Sequence, residues 1–365
     1  MSDPTSEPLS DPASDPASEP APGASRTHRL RVSEVIAETP DAHSLVLEVP
    51  PESTDRFAYR PGQFLTLKLP GTGAGPAARC YSLASSPHTG EPMKVTVKRV
   101  AGGYGSNWVC DEVRPGDELE VLPPAGTFTP GSLDTDLLLV AGGSGITPVL
   151  SIAKSALARG RGGLVLLYAN RDESSVIFGD ELRRLAGDHP DRFVLIHWLE
   201  SLQGLPTADR LSAVLAPYAD REGYVCGPAP MTDAVEQSLR ALGTPGDRIH
   251  RERFFSLGAD VFDVPAVPAA TPADGASTAE VELDGESHTV AWPRGTSLLD
   301  VLLAAGIDAP YSCREGGCSA CTCRVVRGEV KMVRNDVLDD EDLAEGYVLA
   351  CQAVPLTERI EISYA

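Results

Sequence analysis

The sequence predicts a multidomain chain in which an antiparallel β-barrel, a doubly wound α/β domain and a small acidic module follow one another. Three observations lead there. Short runs that alternate apolar and polar residues give way near Leu133 to continuous apolar runs separated by amphipathic segments. A Pro/Ala-rich stretch over 258–278 then interrupts the pattern. Beyond it, five of the eight cysteines fall between Cys313 and Cys351. A length of 365 residues suits two or three cores of roughly 100 to 200 residues each.

The elements follow in order. Residues 1–27 repeat Ser, Asp or Glu, Pro and Ala, with five acids and no base between Ser2 and Ser25; such a segment cannot bury a core and is expected to be a disordered tail. Over 28–131, the alternating runs His43 to Val49, Gln63 to Leu69 and Lys94 to Arg99, set between Pro/Gly turns, predict barrel strands. Over 132–257, apolar strands at Leu137 to Ala141, Leu164 to Ala169, Phe193 to Trp198 and Tyr224 to Cys226 alternate with helical segments such as Val149 to Leu157 and Met231 to Leu242. The stretch 258–278 reads as a linker, and 279–365 as a third module; from Glu280 onward it carries 16 acids against 7 bases.

A formal net charge of −21 argues against a nucleic-acid partner, which needs a basic face, and suits a protein partner. No apolar run approaches the roughly 20 residues that span a bilayer. The N-terminus has no basic segment followed by an apolar one, so a cytoplasmic location is expected. In that reducing setting, clustered cysteines point to metal rather than to disulfides.

The string Cys313-Arg-Glu-Gly-Gly-Cys318-Ser-Ala-Cys321, followed by Cys351 in Leu-Ala-Cys-Gln, has the spacing of a plant-type [2Fe-2S] site. Three thiolates on one tight loop can wrap two irons, Gly316 and Gly317 let backbone N–H groups approach the sulfurs, and Cys351 closes the cage. A structural zinc is the alternative, but zinc favours paired Cys-x-x-Cys knuckles. Cys323 fits none of the ligand gaps and is read as a buried thiol.

In the barrel, Arg79-Cys80-Tyr81-Ser82 offers a cation for a phosphate, an aromatic ring and a hydroxyl at strand spacing. Gly102 to Asn107, with Ser106 read as a cap for a helix over Asn107 to Cys110, can aim helix N–H groups at a pyrophosphate; a plain turn and cap explains the same residues. After the strand at 137–141, Gly142-Gly143-Ser144-Gly145-Ile146-Thr147-Pro148 is a glycine turn with Thr147 as expected N-cap and Pro148 as first helical residue, a candidate dinucleotide site. Asn170-Arg171-Asp172 is where the adenosine ribose is expected, and Cys226-Gly227 lies at the sheet edge where the nicotinamide is expected.

Taken in this order, Arg60-Pro-Gly-Gln-Phe-Leu-Thr-Leu, Arg79-Cys-Tyr-Ser-Leu, Val95-Thr-Val-Lys-Arg, Ser106-Asn-Trp-Val, Gly142-Gly-Ser-Gly-Ile-Thr-Pro, Tyr168-Ala-Asn-Arg-Asp-Glu and the cysteine loop resemble the ferredoxin-NADP reductase superfamily. Within it they resemble oxygenase reductases with a C-terminal ferredoxin domain, in particular those serving 3-ketosteroid 9α-hydroxylation. The likeness runs over about residues 28 to 365. It implies an FAD-binding barrel, an NAD-binding α/β domain and an α+β β-grasp ferredoxin domain. It also implies that Arg79, Tyr81, Ser82, Val97, Lys98, Arg99, Gly103 and Ser106 hold FAD, with Ser82 near N5. Gly142, Gly143, Gly145, Thr147 and Pro148 would take the NADH pyrophosphate, Asn170 and Arg171 its adenosine half, and Cys226 and Gly227 the nicotinamide end. Phe254 would cover the flavin, with Glu252 beside it, and Cys313, Cys318, Cys321 and Cys351 would bind the cluster. Gly317 departs from the pattern, which has a larger residue before the second ligand. The implied partner is a terminal oxygenase, Rieske-type. Reductases of aromatic-ring or phenylacetyl-CoA oxygenases use the same modules, and a redox sensor without turnover stays open as another class. Asp172 argues for NADH over NADPH by repelling a 2′-phosphate, while Arg171 argues the other way.

Overall fold

The structure is a computed structural model that describes residues 27–71, 77–254, 256–258, 261–263, 267 and 275–364. The acidic tail before Thr27 and most of the expected linker lie outside the described residues. Among the described residues no helix is long and apolar enough to cross a membrane.

The first module is a six-stranded antiparallel sheet of β1 (His28–Thr39), β2 (Ala42–Glu48), β3 (Phe64–Leu69), β4 (Ala77–Ser82), β5 (Met93–Lys98) and β6 (Glu118–Ala125), in the order β4-β3-β6-β1-β2-β5. A bridge between Leu83 and Val95 joins the two outer strands, so the sheet closes on itself and leaves no free edge along that seam. Period-two patterning drives the closure: Leu45, Leu47, Leu65, Leu67, Val95 and Val97 all point to one fully buried core. One helix, α1 (Tyr104–Glu112), follows β5 and plugs that core with Val109 and Cys110.

The second module is a five-stranded parallel sheet of β7 (Leu137–Gly142), β8 (Leu164–Asn170), β9 (Phe193–Leu199), β10 (Glu222–Cys226) and β11 (Ile249–Glu252). Helices α2 (Ile146–Arg159), α3 (Gly179–Asp188), α4 (Glu200–Gln203), α5 (Ala208–Leu215) and α6 (Ala229–Ala241) connect the strands. Strand β7 shows why an unbroken apolar run is needed. Leu137, Leu139 and Ala141 pack with Ile146 and Val149 of α2, whereas Leu138 and Val140 pack with Leu211 of α5 and Val235 and Leu239 of α6. Both faces are covered. The order β11-β10-β7-β8-β9 starts in the middle, runs outward through β9, and returns to the other side at β10. The chain therefore reverses direction between β7 and β10, and the carboxyl ends of those two strands form the crevice where open α/β sheets bind ligands.

The third module is the sheet β13-β12-β18-β14-β16, made of β12 (Ser277–Leu283), β13 (Glu286–Trp292), β14 (Thr322–Arg327), β16 (Tyr347–Leu349) and β18 (Arg359–Ser363). A small ladder joins β15 (Val330–Met332) to β17 (Ala353–Pro355). Helix α7 (Leu298–Ala304), capped by Ser297 accepting from the Asp300 N–H at 3.1 Å, buries Leu298, Leu299, Val301 and Leu302 against the sheet. A short α8 (Asp340–Ala344) precedes β16. Strand β12 begins at Ser277, so the last two positions of the expected linker are sheet.

The modules meet through buried contacts. Between barrel and α/β domain, Ser151 donates to the Ser85 carbonyl at 2.6 Å, and Lys154, almost fully buried, pairs with Glu91 at 2.8 Å and Glu181 at 3.0 Å. Between barrel and third module, the Thr66 and Ser312 hydroxyls lie 2.7 Å apart, Arg56 pairs with Asp308, and Phe64, Ala78 and Leu122 share one apolar core with the third module.

Candidate functional site: a flavin cavity between nucleotide crevice and cysteine cage

Strand β4 presents Arg79, Cys80, Tyr81 and Ser82 to a cavity of about 280 Å³. Lys98, Gly103 and Ser106 from the barrel, Ser144 and Thr147 from the second module, and Phe254 complete its wall. Three properties fit it to a flavin nucleotide. Among the described residues Arg79 makes no ion pair; its guanidinium donates only to the carbonyls of Ala78 and Leu257, at 2.6 and 3.2 Å, which leaves its charge uncompensated for a phosphate. Helix α1 starts at the cavity with Gly103 as N-cap and no side-chain cap, so its first N–H groups are not occupied by a capping oxygen. A Cβ on Gly105 would lie 2.8 Å from Leu69 Cδ1 and 3.3 Å from Arg79 Cγ, so this turn of helix reaches the strand only because that side chain is absent. Burial raises the Tyr81 phenol well above its ordinary value, so its hydroxyl stays protonated.

The nucleotide crevice is built by glycine. A 3₁₀ turn over Gly143–Gly145 leads into α2, whose N-cap is Gly145 and again carries no side-chain cap. A Cβ on Gly145 would lie 2.2 Å from the Cys226 carbonyl oxygen, and one on Gly227 would lie 3.0 Å from Gly142 Cα. The ends of β7 and β10 thus touch backbone to backbone. At the end of β8, the buried Asn170 amide has no hydrogen bond among the described residues, Arg171 pairs with Asp41 at 2.9 Å, and Asp172 caps the turn at Glu173–Ser175. Hydrogen bonds from the Ser174 hydroxyl and the Ser175 N–H hold the Asp172 carboxyl below its usual range.

Cys313, Cys318, Cys321 and Cys351 come as two pairs. The Cys313 N–H points to Cys318 Sγ at 3.4 Å, and the N–H groups of Glu315 and Gly317 point to Cys313 Sγ at 3.3 and 3.4 Å. Across the cage, the Cys351 N–H points to Cys321 Sγ at 3.5 Å, and the Gln352 amide to Cys351 Sγ at 3.5 Å. A bond from the Cys318 thiol, helped by the backbone N–H groups at 315, 317 and 316, holds Cys313 down to about 6. Among the described residues no three ligand side chains converge on one ion. Two pairs fit a two-iron cluster, each iron taking two thiolates, better than one tetrahedral zinc. The loop bends this tightly through left-handed backbone at Arg314, Gly316 and Ser319.

A small gap of about 20 Å³, lined by Phe64, Cys80, Ser82, Glu252, Phe254 and Cys318 among others, connects the flavin cavity to the cage. Glu252 ends β11 opposite Cys226 in register, and burial pushes its carboxyl up to about 8. Phe254 is half exposed at the cavity.

Several expectations are corrected. Ser106 does not cap a helix at Asn107: α1 begins at Tyr104, and Ser106 Oγ accepts from the Val100 N–H at 3.0 Å, because the glycines at 102 and 103 let the helix start one turn sooner. Thr147 is not an N-cap and Pro148 is not the first helical residue. Gly145 ends the 3₁₀ turn and α2 begins at Ile146, so Pro148 sits third, still in the first turn where no N–H is missed. Val97 is in the barrel core and Arg99 turns to Asp111 at 2.6 Å, so neither side chain lines the cavity. Cys226 is fully buried, and its thiol is raised by that burial and by Glu252. Thr96, Tyr104, Gly105 and Ser144 also line the cavity; the last three lie inside the two glycine-rich segments that the sequence singles out, whereas Thr96 is an ordinary position of a barrel strand.

Three family models match the chain: an oxidoreductase FAD-binding domain over residues 29–129, an oxidoreductase NAD-binding domain over 139–237, and a 2Fe-2S iron-sulfur cluster binding domain over 281–356. The chain is 56% identical over 345 residues to the ferredoxin reductase component of 3-ketosteroid-9-alpha-monooxygenase from Rhodococcus rhodochrous, covering 94% of this chain and 98% of that protein. It is 36% identical to a component of the 1,2-phenylacetyl-CoA epoxidase of Escherichia coli, covering 92% and 97%. Among solved structures, phthalate dioxygenase reductase, described as a modular structure for electron transfer from pyridine nucleotides to [2Fe-2S], superposes with a TM-score of 0.55 at 25% identity and covers 93% of this chain and 100% of that one.

Proposed function

Because the chain belongs to the oxidoreductase family that joins an FAD-binding, an NAD-binding and a 2Fe-2S domain in the reductase components of multicomponent monooxygenases, we propose that it takes electrons from NADH and delivers them singly to a Rieske-type terminal oxygenase that hydroxylates a 3-ketosteroid at position 9α in the cytoplasm. The observation that carries this reading is the shared wall. Ser144 and Thr147 of the nucleotide module border the same cavity as Arg79 to Ser82, and the adjoining gap ends on Cys318. Entry and exit of electrons meet there.

When bound, FAD converts a two-electron hydride into single electrons and the cluster carries them one at a time. The chain's residues position and shield. Arg79 and the start of α1 would hold the flavin phosphates, and Ser82 would place a hydroxyl at the reactive edge. Gly142, Gly143 and Gly145, with Thr147 and Pro148 in the first turn of α2, would cradle the NADH pyrophosphate, with Cys226 and Gly227 at its nicotinamide end. Phe254 would cover the flavin and yield to the nicotinamide, while Glu252, partly protonated near neutral pH, adds little charge beside it. Cys313, Cys318, Cys321 and Cys351 would ligate the irons. Identity of 56% to a steroid-monooxygenase component, against 36% to the phenylacetyl-CoA epoxidase component, favours the steroid system.

The test is reconstitution. Purified protein should carry FAD and two irons per chain and should support NADH-dependent 9α-hydroxylation of a 3-ketosteroid by a Rieske-type oxygenase. Brisk dye reduction without hydroxylation would remove the steroid assignment; absence of NADH oxidation would remove the reductase assignment.

A further inference from the structure

The function proposed above needs electrons to cross from the flavin cavity to the cysteine cage; Cys80, Ser82 and Phe254 line both the cavity and the gap, and of these Cys80 also contacts Ser312, the neighbour of a cage cysteine. Cys80 lies on β4 between Arg79 and Tyr81 and pairs in register with Thr66 of β3. It lines the flavin cavity and also the gap that ends on Cys318. Its sulfur is 3.5 Å from Thr66 Oγ1 and 3.9 Å from Ser312 Oγ, while those two hydroxyls lie 2.7 Å apart and belong to residues at most 1% exposed. Ser312 is bonded directly to the ligand Cys313.

We propose that Cys80, through Ser312, is a positioning residue that provides the contact along which electrons pass from the flavin cavity to the Cys313 and Cys318 side of the cluster. Two routes leave the cavity wall: across the small gap to Cys318, or along Cys80 Sγ, Ser312 Oγ and one peptide to Cys313. The second is continuous matter. Electron tunnelling decays more slowly through bonded and hydrogen-bonded atoms than across empty space, and sulfur is polarizable. Burial pushes the Cys80 thiol up to about 11, so it stays neutral and ends each transfer as the same thiol. One electron leaves the flavin and one arrives at the cluster; no bond forms or breaks on Cys80. The route also needs the modules to stay docked, which the common core of Phe64, Ala78 and Leu122 with the third module provides.

The alternative is that the trio only glues the modules together. Cys80→Val stays apolar at a slightly larger volume and removes the hydrogen bond, Cys80→Ser keeps a bonding atom, and Ser312→Ala breaks the chain from outside the flavin cavity. Rapid mixing of holoprotein with NADH reads cluster reduction against flavin reduction in the same trace. Spectroelectrochemistry gives both midpoint potentials, and melting temperature reports docking. We expect a fall of about tenfold in relative cluster reduction for Cys80→Val and for Ser312→Ala, no further fall in the double variant because both lie on one route, and retention in Cys80→Ser, all at wild-type potentials and with no more loss of melting temperature than one buried hydrogen bond accounts for. A wild-type ratio in Ser312→Ala overturns the proposal. So does slowing that tracks a shifted potential or a larger loss of melting temperature. If Cys80→Val fails to hold FAD, Ser312→Ala alone decides. A wild-type protein whose flavin reduces but whose cluster never does would instead defeat the proposed function.

Discussion

Glu252 is a carboxyl that burial has pushed up to about 8 from an ordinary 4.5. A raised folded-state value means that the group's contribution to stability is complete below the unfolded value and is lost as pH climbs toward 8. Glu252→Gln, which cannot ionise, should therefore match the wild-type melting temperature near pH 4.5 and exceed it at pH 8, the gain corresponding to about a few kcal/mol of stability at most. Parallel melting curves across that interval would show that the carboxyl is ionised throughout. A second residue, Asp41, is expected to bear on coenzyme choice. Asp41 holds Arg171 at 2.9 Å and lies 3.8 Å from Lys98, so Arg171 is already engaged, while Asp172 in the same turn is held ionised. NADH is accordingly the expected coenzyme, with a higher kcat/KM than NADPH. Asp41→Asn frees Arg171 to meet a 2′-phosphate and should raise kcat/KM for NADPH; a half-exposed pair of this kind is worth about 1 kcal/mol or less, so the gain is at most about fivefold. An unchanged NADPH value would remove Arg171 from the specificity site.

The contact of β7 with β10 leaves no room for a methyl group. Gly145→Ala sets a carbon 2.2 Å from the Cys226 carbonyl oxygen, so α2 or the end of β10 must move. The expected cost is about 1 to 3 kcal/mol of stability, as for other overpacked sites, together with weaker NADH binding seen as a raised KM. A normal melting temperature and KM would mean that the turn relaxes freely. Much of this element is legible in the sequence. The strand Leu137 to Ala141, buried on both faces, and the glycine run after it leave little choice but a parallel strand feeding a helix. The starts of α1 and α2 fall three and two residues before their expected places for a physical reason: serine and threonine are favoured caps, but where glycines precede them the backbone can enter the helix earlier and leave its N–H groups for a ligand. The grouping of Cys313, Cys318, Cys321 and Cys351 is read from their spacing, but their division into two pairs is not, and Thr66, Cys80 and Ser312 carry no pattern. Their meeting depends on how one module is laid on another, which local periodicity does not encode.

Across the whole molecule, docking changes what truncation should do. Removing everything after Gly258 leaves every proposed flavin and nucleotide contact in place, so NADH oxidation with a two-electron dye should survive while delivery to the oxygenase stops. The truncated protein also uncovers Phe64, Ala78 and Leu122, so it should melt lower and self-associate at high concentration, as light scattering would show. Undiminished hydroxylation by the truncated form would mean that electrons leave directly from the flavin. The arrangement of the third sheet has a consequence of another kind. Its middle strand, β18, pairs in parallel with β12 and antiparallel with β14, yet comes later in the chain than all four proposed ligand cysteines. During synthesis, at about 5 to 20 residues per second, the barrel and the α/β domain can each close once their last strand clears the ribosome. The third module cannot: until Arg359 to Ser363 arrive, β12 and β14 have nothing between them and the cysteine loop has no floor. The proposed iron site is accordingly expected to be complete only after its last strand is made, and a chain cut between Cys351 and Arg359 should carry every thiol of the site and fail to retain iron.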